Sequence, residues 1–112
     1  MLLTNKPKEL TPENAAAALV EGKLPLVDVR NAHERADAHA AGSRHIPLDE
    51  LPGRLGELAT DTPVAFVCRS GARSSRAARA AAKHGVQALN VRGGMLAWEK
   101  AGLATERAKQ SA

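Results

Sequence analysis

The stretch that decides the fold lies at residues 64–74 and reads VAFVCRSGARS. Its first four residues are apolar and rich in β-branched and aromatic side chains, which is typical of a buried parallel strand. The alanine-rich residues that follow favour a helix, which we predict over 74–84. Cys68 is therefore expected at the carboxyl end of a strand, facing the start of a helix. In an open α/β sheet, ligands bind at this edge.

The segment 68–74, called the cysteine loop below, combines a sulfur atom with cations and a glycine. Gly71 allows the chain to curl, and Arg69 and Arg73 bring positive charge. The following helix start adds unpaired N–H groups and a partial positive charge. We expect these groups to keep the Cys68 sulfur accessible and ionised, with a pKa below the value of about 8.5 of a free thiol.

Cys68 is the only cysteine, so the chain forms no internal disulfide. A lone cysteine is often inert core, but an inert cysteine needs neither a glycine turn nor flanking arginines, so we favour a reactive thiol. No histidine is placed beside it by sequence, which weakens a Cys–His hydrolase. The histidines also show no metal-ligand spacing, and no metal or cofactor is expected.

Composition limits the other functions. The 112 residues fit one domain, which we place at 1–104, with a frayed polar tail at 105–112. The net charge is +4, yet only Phe66 and Trp98 are aromatic, so base stacking and nucleic-acid binding are not expected. Arg76 and Arg79 either draw small anions toward the loop or form a solvated helix face. We find no membrane span or signal peptide and expect a cytoplasmic protein.

Strand and helix patterns alternate along the whole chain. Strands are predicted at residues 8–10, 24–29, 43–46, 64–67 and 86–91, and helices at residues 12–21, 31–39, 48–58, 74–84 and 95–101. Thr11 and Asn31 are expected helix caps, the latter in a capping box with Glu34, and Gly42 is expected to end the second helix. The alternation predicts an α/β fold with a mostly parallel five-stranded sheet and helices on both faces.

Four segments, in this order, resemble the rhodanese family of sulfurtransferases. They are residues 26–30 (LVDVR), 46–51 (IPLDEL), 64–73 (VAFVCRSGAR) and 92–98 (RGGMLAW). The resemblance covers about residues 8–103 and implies a single rhodanese-like domain. One segment departs from the family: AHAAG at residues 38–42 stands where a Gly-His-Ile-Pro-Gly segment is usual, so His39 is kept and the proline is lost.

The resemblance implies a sulfur-transfer reaction at Cys68. The cysteine would take a sulfur atom from thiosulfate or a similar small anionic donor, become a persulfide, and pass the sulfur to cyanide or to a thiol acceptor such as a thioredoxin-like protein. The residues implied to bind substrate are Arg69, Ser70, Gly71, Ala72 and Arg73. Two roles stay open for Arg73, which either contacts the donor or braces the loop. Asp28 and Arg30 either support the loop from the neighbouring strand or form an ordinary salt bridge.

Two other functions compete with this interpretation. The first is a cysteine phosphatase. A tyrosine-phosphatase signature has one more residue between cysteine and arginine than the four that separate Cys68 from Arg73 here, which argues against it. A non-catalytic rhodanese-like module that acts as a sulfur carrier or only binds a partner is the other alternative, although such binding modules often lack the cysteine. A redox or arsenate-reducing role is less favoured because no second cysteine can resolve an intermediate.

Overall fold

The structure is a computed structural model that describes residues 6–108. The strands are β1 (Lys8–Leu10), β2 (Leu26–Asp28), β3 (His39–Ala40), β4 (Arg44–His45), β5 (Pro63–Val67), β6 (Gln87–Val91) and β7 (Thr105–Glu106). The helices are α1 (Pro12–Val20), α2 (Ala32–Asp37), α3 (Leu51–Arg54), α4 (Ala72–Lys83) and α5 (Gly94–Lys100), and a 3₁₀ turn (Leu55–Glu57) follows α3. Within residues 6–108, no helix combines the length and the apolar composition that a membrane crossing requires.

The main sheet is parallel and has the strand order β1-β6-β5-β2-β4. This confirms the predicted five-stranded parallel sheet. The register pairs Asp28 with Val67 and Phe66 with Asn90, so the carboxyl ends of β2, β5 and β6 meet at one edge. Cys68 follows β5 at that edge, as the sequence predicted.

Helices cover both faces of this sheet, also as predicted. Val64 and Phe66 of β5 pack with α3 and α4, while Ala65 and Val67 pack with α1 and α5 on the other face. The alternation follows from the two-residue period of a strand. The side of α4 that faces the sheet consists of small residues, Ala77, Ala78 and Ala81, which let the helix lie close to the strands.

The second helix and the tail differ from the prediction for one shared reason. The helix expected over 31–39 ends at Asp37, and β3 follows. This strand pairs in antiparallel register with β7, so the tail expected to be frayed from residue 105 forms a strand, and Ala108 N–H still donates to Ala36 O at 3.1 Å. Gly42 consequently lies in the turn between β3 and β4 and does not end a helix. Residues 109–112 of the predicted tail lie outside the described residues.

Three other elements differ from their predicted bounds by more than one residue at an end, and the remaining ones by at most a single residue. The helix expected over 48–58 is reduced to α3 and the 3₁₀ turn, because Pro52 and Gly53 occupy its first turn and favour helix less than other residues do. Strand β2 is shorter than the predicted 24–29. Helix α4 begins at Ala72, two residues earlier than predicted, so Arg73 and Ser74 belong to its first turn.

Candidate active site

Cys68 lies at the floor of the cysteine loop, between the end of β5 and the start of α4. Its sulfur accepts hydrogen bonds from the Gly71 N–H at 3.1 Å and from the Ser74 hydroxyl at 3.2 Å. Gly71 has a φ of +116°, a left-handed conformation that glycine adopts readily and that turns this N–H toward the sulfur. The sequence-predicted curl at Gly71 is confirmed.

These contacts set the ionisation of the thiol. Burial raises the pKa of Cys68, because the charged form loses water. Hydrogen bonds from the Ser74 hydroxyl and from the backbone N–H groups of Ser74, Gly71 and Ser70 act in the opposite direction and outweigh it. The pKa of Cys68 therefore lies below its ordinary value, in the direction that the sequence predicted.

The accessibility of the sulfur is the part of that prediction that does not hold. Cys68 is 1% exposed and packs within the core on the α4 side of the sheet. The buried Ser74, in the first turn of α4, lies directly against the sulfur, and Cys68 is otherwise packed among core side chains. The exposed residues of the loop are Arg69, Ser70 and Ala72.

Sequence reasoning assigned no site role to Ser74 or Glu34, and one residue far from the loop in sequence that it also missed is Asn90. It is a 3% exposed polar side chain near the end of β6, and it links two parts of the cysteine loop. Its Oδ1 accepts from the Ser74 hydroxyl at 2.6 Å, and its Nδ2 donates to Gly71 O at 3.2 Å. The available signal was an amide side chain in the otherwise apolar run at residues 88–91, two positions before the Arg92-Gly93-Gly94 turn.

The thiol, the Ser74 hydroxyl and the Asn90 amide form a short chain in which one hydroxyl proton has two acceptors. A hydroxyl donates one hydrogen at a time, and both the sulfur and Asn90 Oδ1 lie within reach of Ser74 Oγ. A protonated Cys68 can donate its S–H to Ser74 while the serine donates to Asn90. When the sulfur is ionised, the serine proton can turn to it.

We expect Ser74→Ala to raise the pKa of Cys68, because the thiolate loses one of its donors while the burial that opposes ionisation remains. Rates of alkylation by iodoacetamide, measured from pH 5 to 10, report the thiolate fraction. The midpoint should lie below that of a free thiol for the wild-type chain and move upward in Ser74→Ala. An ordinary midpoint in the wild-type chain would contradict the activation of Cys68.

Backbone N–H groups at the start of α5 bind the backbone carbonyl groups of the cysteine loop. Met95 N–H donates to Cys68 O at 2.7 Å, and Leu96 N–H donates to Arg69 O at 3.1 Å. This approach is so close that a Cβ atom on Gly94 would overlap with both of these carbonyl groups. Gly94 also has a φ of +58°. The family-like RGGMLAW segment thus positions the loop that precedes it.

We expect Gly94→Ala to lower the free energy of unfolding by about 2–3 kcal/mol and to displace the loop, because the overlap is with backbone atoms and the left-handed φ adds strain. Urea unfolding measures the first effect and Cys68 alkylation the second. Gly53→Ala is a matched control, since a Cβ there meets nothing within 4 Å. Equal stability of the two variants would show that α5 does not hold the loop this tightly.

Arg73 is bound by a carboxylate from another helix. Its two terminal nitrogens donate to the two carboxylate oxygens of Glu34 at 2.7 and 2.8 Å. This bidentate bond lowers the pKa of Glu34 and raises that of Arg73. Asn31 caps α2 by accepting from Glu34 N–H at 2.9 Å, but the Glu34 side chain does not complete the predicted capping box. It joins α2 to the first turn of α4 instead.

Asp28 and Arg30 form a buried ion pair, which is the ordinary salt bridge that the sequence left as one alternative. Arg30 donates to Asp28 from its backbone N–H and Nε at 3.0 Å and from a terminal nitrogen at 2.9 Å. The same terminal nitrogen reaches Ala38 O at 2.6 Å, and Arg35 lies 3.4 Å from the Asp28 carboxylate. The pair therefore fixes the connection from β2 through α2. Helix α2 is also the helix whose Glu34 binds Arg73.

Arg69 differs from Arg73 in that its side chain is exposed and has no ion-pair partner among residues 6–108. A cavity of about 340 Å³ lies beside the first turn of α4, where Arg73 and Arg76 face Asn31 and Pro47. In the same part of the chain, no three His, Cys, Asp or Glu side chains come together in a way that could hold a metal ion. The free positive charge next to Cys68 thus comes from Arg69.

The fold and the cysteine loop define an α/β domain with a thiol held by an amide-lined turn. The family profile described as "Rhodanese-like domain" matches residues 11–101, which is most of the chain. The chain belongs to the rhodanese-like family.

Named relatives agree with this assignment. The chain is 38% identical over 97 residues to the "Sulfurtransferase" of Allochromatium vinosum, covering 85% of this chain and 91% of that protein. It is 32% identical over 92 residues to the "Thiosulfate sulfurtransferase GlpE" of Stutzerimonas stutzeri, covering 81% and 84%. The crystal structure of a rhodanese-like domain protein from Staphylococcus aureus superposes with a TM-score of 0.81 at 31% identity, covering 91% of this chain and 99% of that one.

Proposed function

We propose that the protein is a sulfurtransferase that carries a sulfane sulfur on Cys68, from thiosulfate or a similar donor to cyanide or a thiol. The observation that carries this proposal is the set of donors around the sulfur. Gly71 N–H and the Ser74 hydroxyl stabilise a thiolate that would otherwise be disfavoured by burial. A thiolate is the nucleophile that such a transfer needs.

The reaction proceeds in two displacement steps. The Cys68 thiolate attacks the outer sulfur of thiosulfate, a new S–S bond forms, the S–S bond of thiosulfate breaks, and sulfite leaves with the electron pair. The acceptor, cyanide or a thiolate, then attacks the outer sulfur of the persulfide, and Cys68 leaves as the thiolate. Backbone N–H groups of the loop stabilise negative charge on sulfur before and after each step.

The two loop arginines have separate roles in this proposal. Arg69, exposed and without an ion-pair partner among the described residues, binds the sulfonate end of the donor. Arg73 braces the loop, because both of its terminal nitrogens are already bound to Glu34. Ser70 and Ala72 are exposed, and in this proposal their backbone groups contact the donor.

Mass spectrometry tests the proposal directly. The protein is incubated with thiosulfate, freed of excess donor and weighed intact. We expect a gain of one sulfur atom that dithiothreitol removes. The loaded protein is then mixed in turn with cyanide, glutathione and reduced thioredoxin, and loss of the extra mass identifies the acceptor. Absence of the gain, with an intact fold, would leave a partner-binding module, and hydrolysis of a phosphate ester would point to a phosphatase.

We expect Arg69→Ala to raise the KM for thiosulfate by about tenfold or more, because one charge-assisted hydrogen bond to the donor is lost. The second step should change little, since sulfite has left by then. Steady-state kinetics with thiosulfate and cyanide measure both effects. Arg107→Ala, which removes an exposed arginine outside the loop, serves as the control. An unchanged KM in Arg69→Ala would show that this arginine does not hold the donor.

A further inference from the structure

A second concave surface lies along α4, away from the cysteine loop. This basic groove separates α4 from β1 and has a volume of about 1070 Å³. Strand β1 is the edge of the main sheet and pairs only with β6 among the described residues. The groove is therefore open along the edge of the sheet.

The rim of the groove is entirely cationic in its charged residues. Five exposed side chains contribute positive charge to its lining: Lys6, Lys8, Arg76, Arg79 and Lys83. No Asp or Glu lines the groove, and none of the five cations forms an ion pair among residues 6–108. Residues 1–5 and 109–112 contain no Asp or Glu either. The groove thus concentrates uncompensated charge that favours an anionic occupant.

Apart from its cations, the lining of the groove is mostly apolar, and this limits the kinds of ligand that fit it. The other lining residues are Pro7, Pro63, Ala80, Ala82, Ala88 and Leu89, which are apolar, and Gln87. A ligand that fits this surface combines negative charges with apolar groups that reach between them. An extended polypeptide with acidic and apolar side chains has this combination.

Two other anionic partners fit less well. A single-stranded nucleic acid gains much of its affinity from bases that stack on aromatic side chains, but Phe66 and Trp98 are both buried and no aromatic residue lines the groove. A membrane surface favours apolar side chains that protrude. The exposed large hydrophobic residues, Val20 (88% exposed) and Leu96 (50%), belong to α1 and α5 on the opposite face.

We propose that the basic groove between α4 and β1 is a docking site for an acidic, partly apolar segment of a protein partner. The sequence left Arg76 and Arg79 either as a source of positive potential at the loop or as a solvated helix face. In this proposal both arginines line the groove and bind the partner segment. Arg76 also lines the cavity beside Arg73, so a docked segment lies along the helix whose first turn covers Cys68. The docking does not depend on the chemistry at Cys68.

Fluorescence anisotropy with a defined probe tests the proposal. The probe is a fluorescein-labelled peptide of Glu-Glu-Leu repeats. It is about twelve residues long and spans about 40 Å when extended. We expect binding with a Kd of about 10–100 μM at low salt, weakened at higher ionic strength. The double variant Arg79→Glu/Lys83→Glu should weaken binding by about tenfold or more while retaining normal sulfur loading at Cys68.

The matched control reverses two exposed cations elsewhere. Lys100→Glu/Arg107→Glu changes the net charge by the same amount outside the groove and should leave binding within about twofold. Equal weakening by both double variants would overturn the proposal, because it would reduce binding to overall charge. It would also be overturned by equal affinity for a Glu-Glu-Gly peptide, or by tighter binding to an oligothymidylate or to phosphatidylglycerol vesicles. Arg79→Ala/Lys83→Ala replaces the reversal if that variant misfolds.

Discussion

Replacement of Cys68 by serine is expected to abolish sulfur loading and to lower sulfur transfer from thiosulfate to cyanide by at least about a thousandfold. The hydroxyl of serine is not ionised at neutral pH and forms no persulfide. Cys68 is the only cysteine in the chain, so no other thiol can replace it. The two readouts are the mass of the intact protein after thiosulfate treatment and the rate of thiocyanate formation.

This variant separates chemistry from folding, because serine is close to cysteine in size and the donors around position 68 remain. The melting temperature of Cys68→Ser should stay near that of the wild-type chain. Gly53→Ala, whose added Cβ contacts nothing within 4 Å, should load sulfur normally. A serine variant that still gains sulfur would place the carrier elsewhere. Binding of the acidic peptide to the basic groove should persist in it, since the groove is a separate surface.

Asp28→Asn is expected to lower the free energy of unfolding by about 3–5 kcal/mol, the cost of leaving one member of a buried ion pair unpaired. Asp28 is fully buried and Arg30 is 5% exposed, so solvent cannot replace the lost carboxylate. Arg35, 3.4 Å from the same carboxylate, loses a partner as well. Equilibrium unfolding in urea measures the change.

Two comparisons make this result specific to the buried pair. Glu50→Gln removes one of the two carboxylate partners of Arg54, the other being Glu57, and such a surface ion pair typically contributes less than about 1 kcal/mol. The double variant Asp28→Leu/Arg30→Met removes both charges and should recover much of the loss, because no unpaired charge is left in the core. A small effect of Asp28→Asn, similar to that of Glu50→Gln, would show that the pair does not hold the β2–α2 connection.

The parts of the site that the sequence predicted correctly are those with local causes. The apolar run at 64–67, the helix-forming run after it and Gly71 each act over a few residues, and they place Cys68 at the strand end with N–H groups around it. The alternation of strand and helix patterns likewise predicts the parallel sheet. Local pattern and fold agree in these segments because right-handed crossovers leave few other arrangements.

The parts that escaped prediction depend on partners distant along the chain. Glu34 and Arg73 are 39 residues apart, and only the packing of α2 beside α4 brings them together. Asn90 meets Ser74 because β6 lies next to β5, which no pattern within either segment reveals. The pairing of β3 with β7 likewise joins two short polar segments that have no strand signal of their own. The burial of Cys68 depends on core side chains from several other elements, which the pattern at residues 64–74 does not reveal.

The contact between α5 and the cysteine loop has a consequence for the design of fragments. A peptide that copies residues 68–74 contains both Gly71 and Ser74. It lacks the N–H groups of α5 that donate hydrogen bonds to the carbonyl groups of Cys68 and Arg69. Its sulfur should behave as that of a free cysteine. A chain truncated after Val91 should lose the reactivity of Cys68 for the same reason. The reactive thiol therefore depends on helix α5 as much as on the sequence of the cysteine loop.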